Sequence, residues 1–253
     1  MMATEKKSFN LASRWQRIHF LGVGVHKVTQ DEALEGIECA IEARVPCQVI
    51  TADASGVVMA QKDAELKELY NNADLVTPDS AGILWAAKRY GTPLNGRVSG
   101  VDLVYHLCRL SHEKSYKLFF FGAAPGVTDQ AASNFRDKFP NIQVVGTRNG
   151  YFKPEEEPEI IVQIKETKPD VLFVALGIPK QEKWIAKYKN ELNVPVLMGV
   201  GGSFDVFAGL VKRAPLWMQK INCEWLWRLI QNPRKIGKVL TLPRFVLMVL
   251  TRR

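Results

Sequence analysis

Asp79 directly follows an apolar run and a proline, in LVTPDSAG, and precedes an amphipathic stretch. A carboxylate so placed has two uses. It can cap the helix that begins there, or it can stand at the mouth of a cleft as a general base. Both hold together if Ser80 supplies the cap. Asp53, in VITADAS, sits at the equivalent place after the preceding apolar run and has the same two readings. Three further segments have this punctuated character. Gly122–Gly126 (GAAPG) is a glycine turn feeding a helix start, where free N–H groups can approach a phosphate. Gly177–Trp184 (GIPKQEKW) sets Lys180, Gln181 and Glu182 in a first helical turn. Gln181 can donate and accept at once, which suits sugar hydroxyls. Gly199–Asp205 (GVGGSFD) packs three glycines, Gly201 among them, before Asp205, which can bond a ribose or sugar hydroxyl or close a turn. Arg97, in GRVSGVD, precedes another helix-like run, and Arg213 lies in KRAPLW.

Some chemistry is missing from the sequence. There is no DxD pair, no HxH or HExxH cluster among the four histidines, and no GxSxG. Cys39, Cys47, Cys108 and Cys223 have neither zinc nor disulfide spacing. A site that handles a diphosphate without a metal must rely on cations and helix ends.

The elements that position these residues follow from periodicity. Short β-branched or aromatic runs alternate with longer amphipathic ones. Strands are expected at Ile18–Val25, Pro46–Thr51, Ala73–Pro78, Lys117–Gly122, Ile142–Gly146, Asp170–Leu176 and Val194–Val200. Helices are expected at Gln30–Ala43, Ser55–Asn71, Ser80–Arg89, Val101–Leu110, Val127–Lys138, Glu155–Thr167 and Lys180–Asn190. Strands that are apolar throughout, separated by helices, imply a Rossmann-like α/β fold, a mostly parallel sheet with helices on both faces. In such sheets ligands bind beyond the carboxyl ends of the strands. Five ends carry polar or glycine-rich sequence, so they are expected to converge on one cleft.

After Gly202 the alternation stops, and Ala214–Arg228 and Pro233–Leu250 read as helices. Charge changes there too. Residues 210–253 hold ten Lys/Arg against one acid, Glu224, together with three of the six tryptophans; the rest of the chain is near neutral. The expected division is therefore a catalytic core, 1–209, and a basic, aromatic appendage, 210–253. Such a tail suits an anionic membrane surface, a lipid-linked phosphate or a nucleic acid. Its Leu, Val and Trp content favours lipid over nucleic acid. No run reaches the roughly 20 apolar residues of a membrane span. Met1–Asn10 has no apolar segment of signal-peptide length, so a cytoplasmic site is expected. A nucleotide-cofactor oxidoreductase would use the same sheet, but LGVGVH (Leu21–His26) supplies GxG without the third glycine.

Several segments occur in a fixed order: PDSAGILWAAKRYG, RVSGVDL, FFFGAAPGV, GYF (Gly150–Phe152), LGIPKQEKW, GVGGSFDVFAG, RAPLWMQ and EWLWRLIQNPRK. Together they resemble the WecG/TagA/CpsF glycosyltransferases over roughly residues 18–240. The resemblance implies transfer of a sugar from a UDP-sugar to a polyprenol-diphosphate-linked saccharide, at the cytoplasmic face of a bacterial membrane, with no cofactor and no metal. It also implies a C-terminal membrane-docking appendage. It places the catalytic base on Asp79, matches Thr51, Arg97 and Gln181 to substrate-binding positions, and matches Arg228, Lys235 and Lys238 to appendage arginines that stabilise the diphosphate. Three departures stand out. Thr51-Ala52-Asp53 replaces a T-x-N pattern, which opens the donor to glucose or another hexose beside an N-acetylated sugar. Two appendage arginines are lysines, and PDS replaces PDG. Trp225, Trp227 and Phe245 are expected at the membrane interface. The oligomeric state is left open, because exposed apolar surface on the appendage can meet lipid or another subunit.

Overall fold

The computed structural model describes residues 10–215, 217–218, 224–231 and 241–251. Its centre is a six-stranded, wholly parallel sheet in the order β4-β3-β8-β7-β5-β6. The strands are β3 (Cys47–Ala52), β4 (Leu75–Pro78), β5 (Lys117–Gly122), β6 (Gln143–Arg148), β7 (Val171–Ala175) and β8 (Val196–Gly199). Strand side chains alternate between faces. Leu118 and Phe120 of β5 enter one core, and Phe119 and Phe121 enter another. Helices α1 (Gln30–Ala43), α5 (Gly100–Lys114) and α6 (Val127–Lys138) cover the first face. Helices α7 (Glu157–Thr167) and α8 (Lys180–Leu192) cover the second. This is the expected α/β architecture.

The apolar run Ile18–Val25 is a hairpin rather than one strand. β1 (Arg17–Phe20) and β2 (Val23–His26) pair antiparallel, apart from the main sheet. The reversal falls at Leu21 and Gly22, both at positive φ (51° and 71°), as a two-residue hairpin turn requires. The glycines of LGVGVH therefore lie in a hairpin, with no helix start beside them for a dinucleotide. The expected helix Ser55–Asn71 is likewise two helices, α2 (Ala54–Ala60) and α3 (Ala64–Asn72). Each has its own aspartate cap: Asp53 accepts from Gly56 N at 2.7 Å, and Asp63 accepts from Leu66 N at 3.0 Å.

The hairpin, α2, α3 and α4 (Ala81–Arg89) enclose a second apolar cluster beside the sheet, and the end of the chain completes it. Helix α11 (Thr241–Thr251) packs on α2 and α4 with Phe245 and Val249 buried. Phe245 is 1% exposed, and its ring lies 3.4 Å from the point a Cβ on Gly82 would occupy. Phe245 is thus a core residue, not a membrane-interface residue, and the charge boundary near residue 210 is not a packing boundary for α11. The opposite face of α11 shows Val246, Leu247 and Leu250 to solvent. Between α9 (Ser203–Phe207) and α11 lies α10 (Glu224–Gln231), with Leu226 and Ile230 exposed. Among the described residues no helix is long and apolar enough to cross a membrane.

Candidate active site

The five punctuated strand ends belong to β4, β3, β8, β7 and β5, five consecutive strands of the sheet. Their carboxyl ends therefore form one continuous edge. Asp79 follows the last residue of β4, and its amide bonds the carbonyl of Ala52 at the end of β3, at 2.9 Å. Ser80, not Asp79, caps α4, its hydroxyl accepting from Ile83 N at 3.4 Å. The Asp79 carboxylate is therefore not committed to that helix end. Thr51 reaches the same place from β3, where its hydroxyl donates to Gly199 O at 3.4 Å. A Cβ built on Gly100 would lie 3.2 Å from Thr51 Oγ1 and 3.4 Å from Asp79 Oδ2. The hydroxyl, the carboxylate and the first residue of α5 thus surround one point, where a side chain larger than glycine would crowd both groups.

Arg97 braces this carboxylate. Its Nε donates to Asp79 O at 2.6 Å, and its Nη2 stands 3.7 Å from Asp79 Oδ1. Its Nη1 pairs with Glu224 of α10. Arg213 grips Asp102, in the first turn of α5, through two bonds of 2.5 and 2.8 Å, and its Nε lies 3.9 Å from Glu224 Oε1. These contacts raise the Arg213 pKa, the hydrogen bonds to Asp102 most of all, so its charge is fixed. The chain of charges Asp79, Arg97, Glu224, Arg213 and Asp102 joins the C-terminal segment to the strand edge. Trp227 adds a tie, donating to Lys212 O at 3.0 Å.

The other expected contacts divide into two kinds. Gln181 is 2% exposed. Its Oε1 accepts from Gly177 N and from Gly201 N, each at 3.1 Å, and its Nε2 donates to Glu182 Oε1 at 2.8 Å. It pins the loops after β7 and β8 to each other, and both ends of its amide are engaged within the protein. Asp53 is occupied as a helix cap, with Oδ1 also accepting from Ser55 Oγ at 2.8 Å. The same oxygen of an asparagine would cap equally well, so the departure from T-x-N does not disturb the fold. The glycine turns do come together at the edge. Gly122 (φ 116°) passes so close to β7 that a Cβ would fall 2.5 Å from Ala175 O. Gly126 (φ 80°) begins α6 without a side-chain cap. Asp205 stands in the first turn of α9, with Oδ2 3.4 Å from the Cβ position of Gly202. Arg228 lies within α10, whereas Lys235 and Lys238 lie outside the described residues.

Two site residues escaped the sequence reading. Glu224 was visible as the one acid of the basic tail, and its ties to Arg97 and Arg213 are tertiary. Tyr151, inside the GYF segment, is 73% exposed beside the Gly122 turn, to which it is tied by the bond from Gly150 N to Ala123 O at 2.9 Å. An outward aromatic beside the strand edge offers a face for stacking on a base or a sugar. Phe152 behind it carries Lys180 Nζ 4.8 Å from its ring centre. Among the described residues no group of three or more His, Cys, Asp or Glu is placed to hold a metal ion.

Residues 18–253 match the profile of the glycosyl transferase WecG/TagA/CpsF family. Relatives include proteins named N-acetylglucosaminyldiphosphoundecaprenol N-acetyl-beta-D-mannosaminyltransferase. One from Bacillus spizizenii is 36% identical over 202 residues, 80% of this chain and 78% of the relative. One from Bacillus subtilis is 33% identical over 210 residues, 83% and 81% of the two chains. One from Staphylococcus aureus strain MW2 is 33% identical over 236 residues, 92% of each chain.

Proposed function

The chain belongs to the WecG/TagA/CpsF family of glycosyl transferases, and from that premise we propose that it moves a hexose or N-acetylhexosamine from a UDP-sugar to a polyprenol-diphosphate-linked saccharide. The convergence of Asp79 and Thr51 at Gly100 carries this reading. Asp79 takes the proton of an acceptor hydroxyl. The freed oxygen bonds to the anomeric carbon as that carbon's bond to the UDP phosphate oxygen breaks, so the configuration inverts. Charge builds on the departing phosphate. Arg228, Lys235 and Lys238 of the tail would neutralise it, taking the role a metal plays elsewhere. The exposed face of Tyr151 fits the donor's base. The outward apolar residues of α10 and α11, with the tail's ten basic residues, suit the anionic membrane surface where such an acceptor resides. Nothing in this scheme requires a nucleic acid.

The test is a screen of UDP-N-acetylmannosamine, UDP-N-acetylglucosamine and UDP-glucose against a short-chain polyprenol-diphosphate sugar, with and without EDTA. One donor should be used at an EDTA-insensitive rate. Asp79→Asn should lower that rate by a factor of about 10²–10⁴ while melting like the native chain. Full turnover by a folded Asp79→Asn protein would remove Asp79 from the role, and loss of activity in EDTA would overturn the metal-free scheme.

A further inference from the structure

The tail reaches the site through a carboxylate. Glu224 pairs with Arg97 and approaches Arg213, and its side chain is 13% exposed. Beside it is a small pocket lined by Ser99, Val101, Lys212, Arg213 and Glu224, among others. Ser99 is the N-cap of the 15-residue helix α5. It is 4% exposed, and its hydroxyl makes no capping bond. Two guanidinium groups and an uncapped helix start are the chemistry of an anion subsite. The chain fills it with its own acid. Three carboxylates, on Asp79, Asp102 and Glu224, here face the two arginines. Two arginines against three carboxylates leave the cluster one charge negative, which repels a pyrophosphate, and withdrawal of Glu224 brings it to neutrality.

We propose that Glu224 is an internal stand-in for a substrate phosphate, holding Arg97 and Arg213 until the diphosphate of a substrate displaces it and takes both. The identity of that anion rests on the transferase reading above. The exchange has a second effect. With neither Glu224 nor a phosphate in place, Arg97 would be drawn wholly to Asp79, and an undivided guanidinium makes a carboxylate a weaker base. Glu224 divides that charge in the free protein, and the phosphate divides it in the complex.

The experiment is calorimetric titration of the full-length chain with inorganic pyrophosphate at fixed ionic strength. Glu224→Gln removes the competing charge and keeps the side chain's size. It should bind pyrophosphate about tenfold more tightly than the native chain, a coupling of the size usual between adjoining sites. Adding Arg213→Gln to it should abolish the gain. Equal or weaker binding by Glu224→Gln would make Glu224 a structural strut and overturn the proposal. If the glutamine variant does not fold, Glu224→Asp, which retracts the carboxylate by one methylene, reads the same competition with the same two outcomes. The titration needs no sugar transfer. A chain inactive with every UDP-sugar would sink the transferase reading, whereas unchanged pyrophosphate affinity would sink only this one.

Discussion

Asp53 and Asp79 follow neighbouring strands in nearly the same local setting, and their side chains do different things. Asp53 turns back onto Gly56 N and Ser55 Oγ; Asp79 leaves helix capping to Ser80 and faces Thr51 and Arg97. His26 shows the same dependence on setting. It is fully buried, with Nδ1 accepting from Val76 N at 2.9 Å and Nε2 facing Ala12 O at 3.3 Å. Burial, then the charge of Arg17, lowers its pKa to about 4 from 6.5. The unfolded chain therefore binds the extra proton first as pH falls. The stabilisation is complete above pH 6.5 and is lost on the way down to about pH 4, an effect on the order of 3 kcal/mol. Urea unfolding at pH 7 and pH 4 should show a smaller loss for His26→Asn than for the native chain; equal losses would remove His26 from the acid response. The capping ambiguity at Asp79 was legible because Ser80 is its sequence neighbour. The burial of His26 was not, because Ala12, Arg17 and Val76 reach it from three separate segments.

The elements most visible in the sequence were those whose caps and periodicity agree, such as α1, with its Thr29–Glu32 capping box. The misread ones are instructive. In Ile18–Val25 an apolar strand and an apolar hairpin share one pattern, and only Leu21 and Gly22 at positive φ separate them. At Ser55–Asn71, Asp63 begins a new helix where the helical spacing alone ran on. The loops after β7 and β8 are held by an element's first turn: Gln181 of α8 satisfies an amide in each. A glutamine that suits a sugar by its chemistry is equally suited to that pinning, and its burial favours the second. Gln181→Leu would leave Gly177 N, Gly201 N and Glu182 Oε1 without this partner. The bonds to Gly177 N and Gly201 N are part-buried, so at about 1–3 kcal/mol for a fully buried unsatisfied group the variant should lose about 1–3 kcal/mol in urea unfolding. Gln181→Leu with native stability and a raised KM alone would return Gln181 to the substrate.

At the scale of the molecule, charge and packing divide the chain differently. The basic excess begins near residue 210, yet α11 is built into the cluster of the hairpin, α2 and α4. Composition revealed the first division; the second depends on which apolar residues of α11 turn inward. Phe245→Ala should cost about 3–5 kcal/mol of stability. Leu247→Glu, on a residue 61% exposed, should stay within about 0.5 kcal/mol of native while weakening binding to anionic vesicles. If Leu247→Glu binds vesicles as the native chain does, the outer face of α11 is not what meets the bilayer.

The placement of α11 also bears on how the chain is made. Domains can begin to fold from the N-terminal side while synthesis continues, and the hairpin, α2 and α4 emerge from the ribosome well before α11. The closing pieces of their cluster, Phe245 and Val249, are translated only after the whole parallel sheet. That cluster stays partly open until α11 has emerged, and it is there that a chaperone would find a hold.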